Sequence, residues 1–265
     1  MPIPPVTRLF VHPIKSFDRI SVSQASILPS GALAHDREFA LFDQEGNLVN
    51  GKRYARVHLI RAAYDLTNFT VMVGARDQEE AQTFHLLDER RQLEAWLSEF
   101  FGFAITIKRD TNTGFPDDLE SPGPTLLSLA TLAEVGSWFP ELQGELMSRR
   151  FRANIEIAGV PAFWEDRLFG EPHTTVAFTV GDVRCHGVNL CQRCVVPSRH
   201  PDSGEAAHGF QKTFSERRRA TLPPWVISTR FNHFYRLSVN TRIASTEAGK
   251  IIRVGDAIRP GIVDS

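Results

Sequence analysis

All three cysteines of this 265-residue chain fall in one run, CHGVNLCQRCVVPSRHPDSGE, from Cys185 to Glu205. Thiols and imidazole are soft or borderline donors, so Cys185, His186, Cys191 and Cys194 raise a structural zinc site of Cys3His type as one possibility. Spacing weighs against it, because adjacent Cys185 and His186 do not easily face one tetrahedral ion. A thioredoxin-type dithiol is also weak: that C-x-x-C opens a helix, whereas Val195-Val196-Pro197 reads as strand or loop. Cys185 lies in VRCHGV, which reads as a strand entering the core, so an inert buried thiol is expected there, with His186 structural beside it. Cys194 stands apart because Arg193 precedes it. A cation beside a thiol favours the thiolate, the species that ligates metals or attacks electrophiles. Residue chemistry alone arrives at an activated thiolate at Cys194 and leaves its partner open.

The rest of the chain has to position that thiol. With 42% hydrophobic and 23% charged residues it is an ordinary globular sequence, long enough to bury a substantial core. A net charge of -1 lacks the basic balance of a nucleic-acid binder. The one dense basic cluster, ERRRA at Glu216–Ala220, reads as a solvated helix face. No apolar run reaches membrane-spanning length, so no membrane is expected as a partner, and MPIPPVTRLF lacks the layout of a signal peptide. The expected location is the cytoplasm, with reduced thiols.

Five short strands are expected early, in Val6–His12, Ile20–Leu28, Glu38–Asp43, Val57–Leu66 and Asn68–Val73, separated by turn signals. In Ile20–Leu28 the apolar alternation slips phase near Ala25. Helical spacing of Leu93, Trp96, Leu97, Phe100 and Phe101 predicts a helix from Asp88, its N-cap, to Gly102, its C-cap. That aromatic stripe reads as core. TNTGFPDDLESPGP (Thr111–Pro124) is rich in turn chemistry and is the candidate hinge, dividing the chain into 1–110 and 111–265. A second helix is expected from Ser128, then strands in ANIEIAG, TTVAFTVG and the run into the cysteines. A short helix follows in QKTFSERRRA, and late strands in FYRLSVNTRI and KIIRVGDAIRP, with Gly255-Asp256 as a hairpin-type turn. The fold class is mainly β with some α, built as a small barrel or sandwich. Signatures of P-loops, dinucleotide folds, zincins and serine hydrolases are absent.

Six stretches in order carry a resemblance. They are the P-[IV]-K-S core at Pro13–Ser16, Asp36–Glu38, RFRANIEIAG, FWEDRL, CQRCVVPSRHPDSGE and GKIIRVGDAI. Together they resemble the MOSC-domain family with its N-terminal β-barrel domain, and most closely the amidoxime-reducing branch. The resemblance covers nearly the whole chain. It implies an N-terminal barrel-like domain packed on a MOSC β-barrel domain, and a molybdenum cofactor, a pyranopterin dithiolene bearing a phosphate.

The resemblance implies Cys194 as the protein ligand to molybdenum. Lys15, Ser16, Arg37 and Arg152 would hold the pterin and its phosphate, with Asn154 and Arg193 close by. Cationic forks and hydroxyl donors suit such a ligand, and groups drawn from both halves put it between them. Taken alone, the same residues read more plainly: Lys15-Ser16 as a turn, Arg37 as the ion-pair partner of Asp36, and Arg152 and Asn154 as the polar face of a strand. The implied activity is reduction of N-hydroxylated substrates (amidoximes, hydroxylamines, N-hydroxylated bases). Asp202 or His200 would supply protons. No iron–sulfur module is fused, so electrons would come from a separate ferredoxin- or flavin-type reductase. Where close relatives carry two threonines after the cysteine, this chain has Val196-Pro197-Ser198 and then Arg199-His200, which leaves substrate choice open. Which of Ser121, Thr125 and Ser128 faces the cofactor is also open. The alternatives are a cofactor carrier or sulfur-transfer protein using Cys194, and a zinc-bound interaction module.

Overall fold

The computed structural model describes residues 3–142 and 144–261. Its first half contributes strands β1 (Val6–Val11), β2 (Ile20–Ser21), β3 (Gln24–Ser26), β4 (Phe39–Phe42), β5 (Leu48–Val49), β6 (Ile60–Asp65), β7 (Thr70–Ala75) and β8 (Gln82–His85). Helix α1 (Arg90–Phe101) and β9 (Thr106–Arg109) follow. The second half opens with β10 (Leu126–Ser128), α2 (Leu129–Ser137), α3 (Glu145–Phe151) and β11 (Ile155–Ile157). Then come β12 (Val176–Val180), β13 (Val183–Gln192), α4 (Phe210–Ala220), β14 (Arg236–Arg242), β15 (Ile251–Arg253) and β16 (Ile258–Pro260). The molecule is mainly β with some α, as the sequence implies.

An eight-stranded sheet runs β16-β12-β13-β14-β10-β11-β1-β2. Its pairs are antiparallel except β10 with β11. Two strands of the first half therefore complete a sheet of the second, through Leu9 opposite Ile155. β3 likewise pairs with β15. The remaining strands form two three-stranded sheets, β5-β4-β9 and β6-β7-β8. One core gathers Leu9, Val11 and Ile27 with Ile155, Phe178 and Val239. A second packs Leu93, Leu97 and Phe101 of α1 against Phe39, Val71 and Ile107. A third joins α2, α3 and α4 through Val135, Phe151 and Phe214.

Both helix ends read from glycine and serine hold. Gly102 takes the left-handed C-cap at φ +79°, and the Ser128 side chain accepts the Thr131 N–H as N-cap of α2. Four local expectations are corrected. Asp88 is not the cap of α1, because Glu89 takes that place and its carboxylate reaches back to the His85 N–H at 2.7 Å. Ile20–Leu28 is two short strands, broken where the alternation slips. β15 and β16 do not form a hairpin: the Asp256 carboxylate takes the Arg253 N–H at 2.8 Å, and β16 leaves to pair with β12. Phe151 to Asn154 is not strand. Phe151 ends α3, Arg152 turns left-handed at φ +54° to close it, and β11 begins only at Ile155. Among the described residues no helix is long and apolar enough to cross a membrane.

Candidate functional site

The turn after β1 carries Lys15 and Ser16, the turn before β4 carries Arg37, and the end of α3 carries Arg152. Three of these four have left-handed backbones: Ser16 at φ +74°, Arg37 at +53° and Arg152 at +54°. A side chain with a Cβ occupies that region at a cost of about 1–3 kcal/mol, and it persists only where the surroundings over-determine it. Here the ties are backbone hydrogen bonds. Lys15 N–H donates to Phe39 O at 2.7 Å, Arg37 N–H to His12 O at 2.7 Å, and Arg152 N–H to Ser148 O at 3.0 Å.

These cations lie near enough to repel one another. Burial, and behind it the charges of Arg37 and Arg152, draw the Lys15 ammonium below its usual range, although Asp117 supports it. Burial and then Arg37 bring Arg152 down to about 10. Arg37 goes the other way: burial opposes its charge, but Asp36 and Asp117 more than offset it. His12, 0% exposed, is held down at about 3 by burial and by Arg152, so it is a neutral imidazole. Among the described residues neither of its ring nitrogens makes a well-formed hydrogen bond, Nδ1 standing 3.4 Å from Asp36 Oδ1, and the same holds for Nε of Arg150, Arg193 and Arg199. Among the described residues the Arg152 guanidinium donates only to Phe17 O, at 2.8 Å. Ser16, Arg76, Arg149, Arg152 and Arg199 share a cleft between the halves whose enclosed part measures about 30 Å³.

The three thiols separate. Cys185 is 1% exposed in the core, and burial pushes its thiol up to about 12. Cys191 is half-buried, and Cys194 is exposed. Arg193 corrects the sequence expectation, because its guanidinium donates to Cys191 Sγ at 3.1 Å and to Phe151 O at 2.8 Å, not to Cys194. The reason is the strand end: β13 shifts register between Leu190 and Gln192 and stops there, so Cys194 lies off the ladder. Cys194 Sγ instead accepts the Val196 N–H at 3.5 Å.

Three further expected residues have defined roles. Asn154 is buried; its oxygen accepts from Thr125 N–H at 3.2 Å and its amide donates to Phe10 O at 3.1 Å. It pins β1 beside β11, and Thr125 is its partner, while Ser128 caps α2. Asp202 forms a two-point pair with Arg149, at 2.5 and 2.8 Å, and meets Arg76 at 2.9 Å. The Arg149 hydrogen bonds lower its carboxyl, so Asp202 is a standing carboxylate and no proton donor. His200 Nδ1 faces the backbone N–H groups of Asp202 and Ser203, at 3.2 and 3.3 Å, which puts the ring proton on Nε2. The sequence reading missed Asp117, Arg149, Arg150 and Arg76. The run SRRFRAN held a signal for two of them, three arginines in four residues; PDDLE held none for Asp117.

A Cys3His zinc set is not formed, since Cys185 belongs to the core. Among the described residues no three His, Cys, Asp or Glu side chains converge as a metal would need. The donor set fits an anionic cofactor held chiefly by its organic part. Among the described residues six arginines line the cleft against one carboxylate, that of Asp18. The enclosed 30 Å³ is water-sized, so a pterin would have to lie where the cleft opens.

Fold and cleft together define a mainly β protein with an arginine-lined cleft between its halves. The chain belongs to the MOSC family: residues 3–105 match the MOSC N-terminal beta barrel domain and residues 125–259 the MOSC domain. It is 26% identical over 237 residues to mitochondrial amidoxime-reducing component 1 of Homo sapiens, covering 75% of this chain and 67% of that protein. The corresponding protein of Danio rerio is 23% identical over 234 residues, with 75% and 70% covered. Human molybdenum cofactor sulfurase is 24% identical over 260 residues, covering 80% of this chain; the chain spans only 28% of that larger protein.

Proposed function

We propose that the protein is a molybdenum-cofactor oxidoreductase that reduces N-hydroxylated substrates such as amidoximes, hydroxylamines and N-hydroxylated bases. The observation that carries this is the arginine-lined cleft, with Arg152 close to Lys15 and Arg37 and with Arg193 held on Cys191 Sγ next to Cys194 in the chain. Lys15 and Arg37 would hold the phosphate, Ser16 and Arg152 the pterin, and Cys194 the metal. When bound, the cofactor supplies the two-electron chemistry that removal of an N–OH oxygen requires. Around it, Arg193, held on Phe151 O and Cys191 Sγ, would fix the backbone that presents Cys194, and Arg149 and Arg76 would hold the Asp202 loop. His200 would donate a hydrogen bond from Nε2 to the departing oxygen in this scheme, with the proton itself drawn from solvent. Electrons come from a separate ferredoxin- or flavin-type reductase, in the cytoplasm, and the halves divide at 110/111. Protein purified from a cofactor-making host is to be analysed for molybdenum and pterin and assayed on an N-hydroxy panel with a supplied electron carrier. Metal-loaded protein that turns over none of the panel sinks the proposal.

A second reading rests on the exposure of Cys194, which suits hand-over of a persulfide or of the cofactor to another enzyme. Transfer to an apo-acceptor without any N–OH reduction by the same preparation would favour it.

A further inference from the structure

Asp117 sits in a strap, residues 111–124, that joins β9 to β10. Its Oδ1 is 2.6 Å from Lys15 Nζ, and Arg37 and Arg193 act on the same carboxylate through their charges. Lys15 also donates to Phe115 O at 2.8 Å, and Phe115 N–H donates to Arg37 O at 2.8 Å. Gly114 lets the strap lie this close: it has φ +70°, and a Cβ there would stand 2.6 Å from Asp36 O. The strap thus returns onto both cations that the cofactor phosphate would need. The two partners differ in burial, with Lys15 at 7% side-chain exposure and Asp117 at 83%. Asp117 fills no core space, so it can swing into solvent at the cost of little more than its ion pair, whereas Lys15 cannot follow.

We infer that Asp117 is an internal stand-in for the ligand's anionic group, seated in the niche of Lys15, Arg37 and Arg193, and that an anionic ligand displaces it on binding. This rests on the proposal that the cleft takes a phosphate-bearing ligand. The niche charges are partly neutralised by the chain itself, which supports the unliganded fold and competes with binding. Removing the carboxylate therefore strengthens binding of an anion while weakening the unliganded protein. An ordinary structural ion pair would give only the second effect.

The test is calorimetric titration of the full chain with inorganic pyrophosphate, comparing wild type, Asp117→Asn, Asp117→Ser and the double variant Asp117→Asn with Lys15→Met. Both single variants should bind about tenfold more tightly than wild type, equivalent to about 1.4 kcal/mol. The double variant should lose that gain. Equal or weaker binding by folded Asp117→Asn and Asp117→Ser, no heat from any protein, or a gain that survives Lys15→Met overturns the inference. Circular dichroism verifies folding of each variant. The cofactor content of wild type is measured separately. Cofactor present without a gain in the variants refutes the stand-in alone, and a gain without cofactor refutes the oxidoreductase alone.

Discussion

One arginine divides the labour of the two thiols in C-x-R-C. Arg193 grips Cys191 and the Phe151 carbonyl, and so leaves Cys194 beyond the strand end as the exposed sulfur. Cys194→Ala should therefore fold normally, with stability within about 0.5 kcal/mol as for other exposed positions, yet lose N-hydroxy reduction while retaining the pterin under the proposed function. Cys191→Ala should keep its metal. A Cys194→Ala preparation that retains both metal and turnover would remove Cys194 from the site. His12 gives a pH prediction. Its folded-state value of about 3 lies below 6.5, so between those limits the unfolded chain binds more protons and stability falls as pH drops. His58, at about 4 through burial and then Arg152, adds to the same slope. Urea midpoints from pH 7 to 5 should fall less steeply in His12→Asn, and an unchanged slope would contradict the buried neutral imidazole. Lys15, Arg37 and Arg152 are marked in the sequence by the family resemblance, since residue chemistry alone reads them as a turn, an ion pair and a strand face. Asp117 is not, because its contact with Lys15 spans 102 residues and leaves no local pattern.

At the scale of elements, α3 and the loop after Cys194 work as one piece. Arg150 donates to the carbonyls of Pro197 and Arg199 at 2.8 and 2.7 Å, while Arg149 holds Asp202. The loop then presses on the first half at Gly204, where φ is +71° and a Cβ would stand 2.6 Å from Ala55 O. Gly204→Ala should cost about 1–3 kcal/mol. Gly46, at φ +78° with nothing within 4 Å of its Cβ position, provides the control that carries the backbone effect alone. Denaturant titration should rank Gly204→Ala below Gly46→Ala, and equal losses would deny the close approach. The helices α1 and α2 were legible because periodicity and caps are local signals. The end of α3 was not, because RFRAN alternates like a strand and only tertiary contacts favour the left-handed turn at Arg152.

The whole molecule is less divisible than its two family matches suggest. β1 completes the large sheet beside β11, and β3 pairs with β15. Residues 111–265 expressed alone would expose β11 and β15 as open edges and lack Leu9, Val11 and Ile27 from the core. That piece should aggregate, and co-expression with 1–110 should restore a soluble complex seen by gel filtration. A soluble, cooperatively melting 111–265 would contradict this. The sequence shows that β1 is a strand but not whose partner it is, since pairing across the chain leaves no periodicity. The pairing of Val6 with Gly255 and Asp256 has a temporal consequence. A ribosome makes Val6 about 250 residues before its neighbours, at about 5–20 residues per second, so β1 waits many seconds for its place. Over that interval its apolar face must be shielded by something other than the finished fold.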